Sequence, residues 1–296
     1  MREKPILFGP TRSLVGILNA PEKPSTALGG EFAVIFINAG LTHHIGPNRL
    51  HVQLARALEA VGIASLRFDL SGLGDSPYRR DQLPIYALVR REPCEAMDEL
   101  TRRGFRRFVL IGMCSGAYSA FHVGCDDERV AAAVMINPED LSIGESGEAG
   151  DQSAAWARRY WSNSLLRPRA WLNLLSGRVN YRRLIETLTR QLKSTGRSGA
   201  NHARSQLKAG ILQAVQARPL TLFFVNSQND VSVEYIDLVL DAETVSLAPQ
   251  GALQRQVIGD CDHLFTRLED QQRLRDLLIP WLAALARETP RTPHKT

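Results

Sequence analysis

An apolar run, Phe108–Ile111, leads directly into a G-x-C-x-G pattern at residues 112–116. A stretch of small residues with helical character, Ala117–Val123, follows. The apolar run predicts a buried strand, and glycines on both sides of one residue let the chain turn sharply before a helix. We therefore expect a strand, a tight turn and a helix, with the side chain of Cys114 raised above the edge of a sheet.

Apolar runs and amphipathic patterns alternate along most of the chain. The runs typical of strands are Phe32–Ile37, Ile63–Phe68, Phe108–Ile111, Val130–Ile136, Leu220–Val225 and Gln256–Ile258. The patterns typical of helices are Asn48–Val61, a helix within Asp81–Gly104 that we expect to be interrupted near Pro93, and Leu264–Arg287. Strands and helices that alternate at this spacing predict an α/β fold, with a mostly parallel central sheet flanked by helices.

One segment, 144–217, breaks this alternation because its pattern is helical, with a break rich in Gly and Ser at 194–199. We interpret it as an α-helical cap inserted into the core. The core then consists of residues 1–143 and 218–288, and 289–296 is expected to be a flexible tail.

The charge of the chain is divided between the cap and the core. Residues 152–218 carry 13 Lys or Arg and a single acid, Glu186, whereas the rest of the chain carries 23 basic and 30 acidic residues. Three of the four tryptophans also lie in this basic segment. Two interpretations stay open: a solvated helical surface, or a surface that binds an anionic partner.

Composition limits the class of protein. The sequence has no apolar window of the roughly 18 residues that a membrane span needs, and its start lacks the apolar part of a secretion signal. We expect a soluble, cytoplasmic protein without a nucleic-acid partner. The four cysteines, Cys94, Cys114, Cys125 and Cys261, have neither metal-site nor disulfide-framework spacing, so reduced thiols and no metal or cofactor are expected.

Five motifs in order resemble those of the α/β-hydrolase superfamily. They are Asn-Ala-Gly-Leu at 38–41, Phe-Asp-Leu-Ser-Gly-Leu-Gly-Asp-Ser at 68–76, G-x-C-x-G at 112–116, Ser-Gln-Asn-Asp at 227–230 and Asp-Cys-Asp-His at 260–263. The resemblance covers nearly all of the chain except the cap. The segments at 44–49 and 112–116 further resemble those of a bacterial subgroup whose genes lie beside exosortase systems and biosynthetic gene clusters.

The resemblance gives Cys114 the position of the catalytic nucleophile. A thiolate at a helix N-terminus is stabilised by the backbone dipoles, and a histidine partner would stabilise it further. The alternative is an inert cysteine buried in the core, the common fate of this residue type. Ser115 is the rival nucleophile, but the glycine frame centres on Cys114, so we expect Ser115 to contribute a backbone N–H instead.

The same resemblance makes His263 the general base and Asp230 the acid that orients its ring. Asp230 follows the strand Leu220–Val225, and the order nucleophile, acid, histidine is the one that this superfamily uses. Asp260 and Asp262 shortly precede His263 in the sequence and are the alternatives to Asp230. Sequence neighbours rarely face the ring in the required direction.

An oxyanion hole needs two N–H donors. The resemblance assigns these roles to Ser115 and to Leu41 or a residue next to Leu41, because Ala-Gly stands here in place of the superfamily's His-Gly. His43 and His44 lie in the same loop and either contact the substrate or are exposed. The turn at 69–76 is expected to be structural, since its aspartates can bond local backbone N–H groups.

These assignments predict an enzyme that cleaves an acyl ester or thioester through an acyl-cysteine intermediate. One alternative is an acyltransferase that passes the acyl group to an alcohol or amine, and a second is a non-catalytic binding protein with the same fold. In the cap, Trp156 and Trp161 are candidates for an apolar acyl pocket, and Arg158 and Arg159 for contacts with coenzyme A or an acyl carrier protein.

Overall fold

The computed structural model describes residues 3–21, 31–79, 81, 83, 85–141 and 197–287, and the side chains of all of these except 85, 86 and 197–201. Its centre is an eight-stranded sheet in the order β1-β2-β4-β3-β5-β6-β7-β8. The strands are β1 (Glu3–Phe8), β2 (Leu14–Asn19), β3 (Phe32–Ile37), β4 (Ala64–Phe68), β5 (Arg107–Met113), β6 (Val130–Ile136), β7 (Thr221–Ser227) and β8 (Leu253–Ile258).

The sheet is mostly parallel. β1 pairs with β2 and β2 with β4 in antiparallel fashion, whereas every pairing from β4 to β8 is parallel. β3 is buried along its whole length, as a parallel strand covered by helices on both faces must be. The predicted fold class is confirmed for the sheet and its flanking helices. Strands β1 and β2 extend the sheet beyond the runs that the sequence pattern singled out.

Helices cover both faces of the sheet. They are α1 (Leu50–Ala60), α2 (Ile85–Arg102), α3 (Ser115–Asp126), α4 (Arg197–Ala217), α5 (Ser232–Val239), α6 (Ala242–Leu247) and α7 (Leu268–Arg287). α1 and α7 pack together on one face, where Leu50, Leu54 and Leu58 meet Leu274, Leu278 and Leu282 in one buried cluster with alternate residues of the central strands. α2 and α3 pack together on the other face.

The expected interruption of the helix near Pro93 is wrong. α2 runs without a break from Ile85 to Arg102 with Pro93 inside it. A proline removes the N–H that would bond to the carbonyl four residues earlier, here Val89. The hydroxyl of Ser119 on α3 donates to that carbonyl instead. A tertiary contact thus compensates for the missing hydrogen bond.

Two predicted boundaries also need correction. β8 begins at Leu253 rather than Gln256. The last helix begins at Leu268 rather than Leu264. The side chain of Asp262 accepts from the Leu264 N–H at 2.9 Å and closes a turn before the helix. Phe265, with φ of 52°, interrupts the helical path.

By the contacts between its residues the chain divides into two compact units, Met1–Leu141 with Lys208–Thr296, and Ser142–Leu207. The first unit contains the whole sheet. The second falls almost entirely outside the described residues, so the cap predicted for 144–217 stays a prediction. In the described ranges, none of the helices combines the length and apolar character that crossing a bilayer requires.

Candidate active site

Cys114 occupies a sharp turn between β5 and α3. Its backbone has φ of 56° and ψ of −121°, a conformation that costs a residue other than glycine about 1–3 kcal/mol. Two hydrogen bonds hold the turn: Cys114 N–H donates to Ile136 O at 2.9 Å, and Ala117 N–H donates to Cys114 O at 3.1 Å. The strain is retained where it presents the thiol, which is only partly buried, at the carboxyl edge of the sheet.

The two glycines of the pattern are required by close backbone contacts. A Cβ on Gly112 would lie 2.0 Å from the carbonyl oxygen of Gly116. A Cβ on Gly116 would lie 2.4 Å from the carbonyl oxygen of Asn38. Both distances are far inside van der Waals contact with backbone atoms that cannot move aside. The spacing of the glycines around Cys114 is therefore a steric requirement of this turn.

His263 and Asp230 are directly bonded. His263 Nδ1 lies 2.6 Å from Asp230 Oδ2, and Asp230 Oδ1 accepts from the Ser232 N–H at 2.9 Å. Burial of the carboxyl acts to raise the pKa of Asp230, but the hydrogen bonds from His263 and Ser232 outweigh it and hold the pKa at about 2. Asp230 is thus an ionised acceptor that fixes the imidazole and leaves Nε2 as the ring nitrogen available to Cys114.

The structure brings Cys114 and His263 together and adds a third group. The Cys114 sulfur, a ring nitrogen of His263 and a carboxylate oxygen of Glu139 all lie within 4.8 Å of one another. Glu139 was not singled out in the sequence. The available signal was its position three residues after β6, since the carboxyl ends of neighbouring parallel strands meet at one edge of a sheet.

The two alternative acids do not bond the ring. The carboxylate of Asp262 accepts from the backbone N–H groups of Leu264 and Thr266. The Asp260 side chain is 86% exposed and pairs with Arg267. Of the three candidate acids, Asp230 is the one hydrogen-bonded to His263.

A buried pair, Asn137 and Ser227, anchors the loop that carries His263. Asn137 Nδ2 donates to the carbonyl oxygen of His263 and to Ser227 Oγ, each at 2.9 Å. Ser227 Oγ donates to the carbonyl oxygen of Asp262 at 2.9 Å. Asn137 lies directly after β6 with φ of 45°, in a region that asparagine tolerates better than most residues. These bonds tie the histidine loop to the ends of β6 and β7.

The loop after β3 lies against the start of α3. Ser115 Oγ accepts from the Gly40 N–H at 2.7 Å, so this hydroxyl is engaged with the loop. Thr42 N–H donates to Ala39 O at 3.0 Å. The N–H groups of Leu41 and Ser115, the predicted oxyanion donors, take no part in these two bonds. The side chain of Leu41 is exposed.

His43 and His44 surround the buried carboxylate of Asp69. His44 Nδ1 lies 2.7 Å from Asp69 Oδ2, and His44 is buried, so the alternative that it is exposed is wrong. His43, which is partly exposed, places Nε2 3.5 Å from Asp69 Oδ2 and 3.3 Å from Asp75 Oδ2. Asp69 also accepts from the Asn38 side chain at 3.2 Å and the Asp75 N–H at 3.1 Å. This carboxylate therefore joins the 69–76 turn to the loop after β3, as expected for a structural turn.

The thiols of the other three cysteines ionise less readily than an ordinary cysteine. Burial raises the pKa of Cys94 to about 11 and that of Cys125 to about 12. Burial also raises the pKa of Cys261. A thiol must ionise before it acts as a nucleophile, so these positions are poor candidates. The predicted cap residues Trp156, Arg158, Arg159 and Trp161 lie outside the described residues.

Residues 34–277 match the sequence model of the alpha/beta hydrolase family. None of the curated proteins compared with the chain is similar enough in sequence to count as a match.

Several solved structures share the fold at low sequence identity. Proline iminopeptidase from Mycobacterium smegmatis has a TM-score of 0.59 at 11% identity, with 96% of this chain and 99% of that chain covered. Dienelactone hydrolase from Anabaena variabilis has a TM-score of 0.55 at 14% identity, with 96% of each chain covered. The 2,6-dihydroxy-pseudo-oxynicotine hydrolase has a TM-score of 0.58 at 18% identity, with 98% of this chain and 71% of that chain covered. At these identities the similarity establishes the fold.

Proposed function

The chain belongs to the alpha/beta hydrolase family, and from this premise we propose that it cleaves an acyl ester or thioester through a covalent acyl intermediate on Cys114. One observation carries the proposal: the Cys114 sulfur lies within 4.8 Å of a ring nitrogen of His263, and that ring is bonded to the ionised carboxylate of Asp230 at 2.6 Å. A nucleophile, a base and an orienting acid in this relation are the parts that acyl transfer requires.

The reaction proceeds in two halves. His263 Nε2 takes the thiol proton, and the sulfur of Cys114 bonds to the substrate carbonyl carbon. The carbonyl oxygen becomes an oxyanion that the N–H groups of Ser115 and Leu41 stabilise. The tetrahedral intermediate collapses, the bond to the leaving group breaks, and His263 returns the proton to that group. Water, deprotonated by His263, then attacks the thioester, which releases the acid and restores the thiol.

The composition of the predicted cap suggests the class of acyl group and of its carrier. Tryptophans at 156 and 161 would contact an apolar acyl chain, and arginines at 158 and 159 would pair with the phosphates of coenzyme A or with an acidic carrier protein. The excess of 13 basic residues over one acid in 152–218 supports an anionic carrier. Reversing Arg158 and Arg159 to glutamate should raise the KM for acyl-coenzyme A but not for a neutral ester of the same acid, and an equal effect on both would refute this step.

Two further expectations belong to the same proposal. A nucleophilic thiol must stay reduced, which fits a cytoplasmic location, and the four cysteines are free. We also retain the subgroup associated with exosortase systems and biosynthetic clusters as a prediction from the motif resemblance.

An acyltransferase is the second candidate, and Glu139 is the observation that favours it. A carboxylate within 4.8 Å of the Cys114 sulfur can accept a hydrogen bond from an alcohol or amine that approaches the thioester. It also attracts a protonated amine before that amine loses its proton to His263. A binding protein without turnover remains a third alternative, and the assembly of nucleophile, base and acid argues against it.

The test is intact-mass measurement after incubation with a panel of acyl thioesters and esters. We expect an acyl adduct on the wild-type protein and on Cys125→Ala, the control for an unrelated thiol, and no adduct on Cys114→Ala. An adduct that survives in Cys114→Ala but not in Ser115→Ala would overturn the assignment of the nucleophile. No adduct and no turnover with any donor would favour the binding protein.

Adding alcohols and amines to the same reactions separates transfer from hydrolysis. A transferase gives new esters or amides in preference to the free acid, and Glu139→Gln should shift the product ratio toward the acid. If free acid is the sole product with every acceptor and the substitution changes nothing, the enzyme is a hydrolase.

A further inference from the structure

We propose that Cys114, Glu139 and His263 form a binding site for one Zn²⁺ ion, and that the bound ion reversibly blocks the nucleophile. Thiolate, imidazole and carboxylate are the three side-chain ligand types that zinc takes in proteins. The three residues follow β5, β6 and β8 respectively, so their sequence spacing of 25 and 124 residues carries no zinc pattern. The sheet topology creates the cluster.

The geometry is close to what the ion requires. Zinc bonds of about 2.0–2.3 Å in a tetrahedron place the ligand atoms roughly 3.3–3.8 Å apart. The three ligand atoms here lie within 4.8 Å of one another. Side-chain rotations that move these atoms by about one ångström would let all three bind one ion. Three protein ligands leave the fourth position open to water or to a substrate atom.

Residues around the cluster hydrogen-bond to His263, as residues that hold a metal ligand in place commonly do. A histidine that binds zinc through one nitrogen commonly donates from the other to a carboxylate, which fixes the ring and strengthens the ligand. Asp230 does this at His263 Nδ1, at 2.6 Å. Asn137 holds the main chain of His263 at 2.9 Å. Cys114 also packs against the apolar core cluster.

The second polar cluster, His43, His44, Asp69 and Asp75, is a weaker candidate. Its ligand atoms are also within 4.8 Å of one another. However, Asp69 Oδ2 already accepts from the Asp75 N–H at 3.1 Å and lies 2.7 Å from His44 Nδ1. A cation there would have to break hydrogen bonds of a buried carboxylate, and an unpaired buried polar group is costly.

Binding removes the two groups that acyl transfer uses. The Cys114 thiol gives its proton to the buffer as sulfur bonds to zinc, and the His263 nitrogen that would act as base donates its lone pair to the ion. A chelator that removes the ion breaks both bonds to zinc. Neither binding nor removal changes the oxidation state of the sulfur. The metal site itself does not depend on the proposed acyl chemistry; only its inhibitory effect rests on that function.

The experiment titrates the full chain, reduced with a phosphine, with Zn²⁺ in competition with a chromophoric chelator, and with Co²⁺ as a spectroscopic substitute. We expect one Zn²⁺ per chain and a thiolate-to-cobalt charge-transfer band. Cys114→Ala should lose the band, and Glu139→Gln and His263→Ala should bind Zn²⁺ at least about tenfold more weakly. Cys125→Ala and His43→Ala are the matched controls, with unchanged affinity.

Three results would overturn the site: no charge-transfer band with the wild-type protein, an affinity unaffected by Cys114→Ala, or an affinity lost in His43→Ala. The cobalt band needs no variant, so the test stands even where a substitution prevents folding. Tight zinc binding by a protein that never forms an acyl adduct would refute the proposed function and leave the metal site intact. An acyl adduct on a protein that binds no zinc would do the reverse.

Discussion

Replacing Asp230 by asparagine removes a carboxyl group that the fold keeps ionised. Burial raises its pKa, but the hydrogen bonds from His263 and Ser232 outweigh burial and lower the pKa from 3.8 to about 2. Because the folded-state pKa lies below the unfolded one, the carboxylate stabilises the protein above pH 3.8, and this contribution is lost as the pH falls through the folded value near 2.

The magnitude follows from the two pKa values. A difference of this size is worth about 2 kcal/mol at neutral pH, at roughly 1.4 kcal/mol per pH unit. About 1 kcal/mol of it should already be lost between about pH 5 and pH 3, since the unfolded chain binds the proton there and the folded protein does not. The asparagine variant cannot bind the proton, so its stability lacks this part of the pH dependence.

Urea unfolding of the wild-type protein and Asp230→Asn at several pH values measures the effect. The free energy of unfolding of wild type relative to the variant should fall by about 1 kcal/mol from about pH 5 to pH 3. Asp260→Asn is the control, because its carboxyl is 86% exposed in the same loop and exposed ion pairs contribute little. A wild-type-to-variant difference that stays constant across this range would refute the bonding assigned to Asp230.

Four further substitutions test other parts of the structure. Ser119→Ala leaves the Val89 carbonyl without its donor and should lower the free energy of unfolding by about 1–3 kcal/mol; an unchanged urea midpoint would contradict this account of the unbroken α2. Gly116→Ala should abolish folding or the acyl adduct, because the new Cβ would collide with backbone atoms. Gly210 lies in a helix and faces open space, so Gly210→Ala should raise the free energy of unfolding by about 0.5–1 kcal/mol. Circular dichroism and thermal melts compare the two variants. Asn137→Ala releases the histidine loop and should slow acyl-adduct formation by about 10–100-fold, with wild-type rates in a folded variant as the contrary result.

Much of the sheet could be predicted from the sequence. The bounds of β3 and β6 were predicted without error, since a strand buried on both faces must be apolar at every position. The turn at Cys114 was also predictable, because a side chain on either flanking glycine would collide with backbone. These features depend on residues close together in the chain, so local patterns contain the information.

The α/β class and the turn at Cys114 were therefore determined by the sequence alone, whereas the roles of Cys114 and His263 stay predictions from the motif resemblance. Tertiary structure decided the rest: Glu139 joins the thiol, Asp230 is bonded to the ring in preference to its two rivals, and α2 continues through Pro93. Each of these depends on which strand ends and helices lie next to each other in space although they are tens of residues apart in the sequence. A hydrogen bond or a charge pair forms only where the packing of the sheet places both partners.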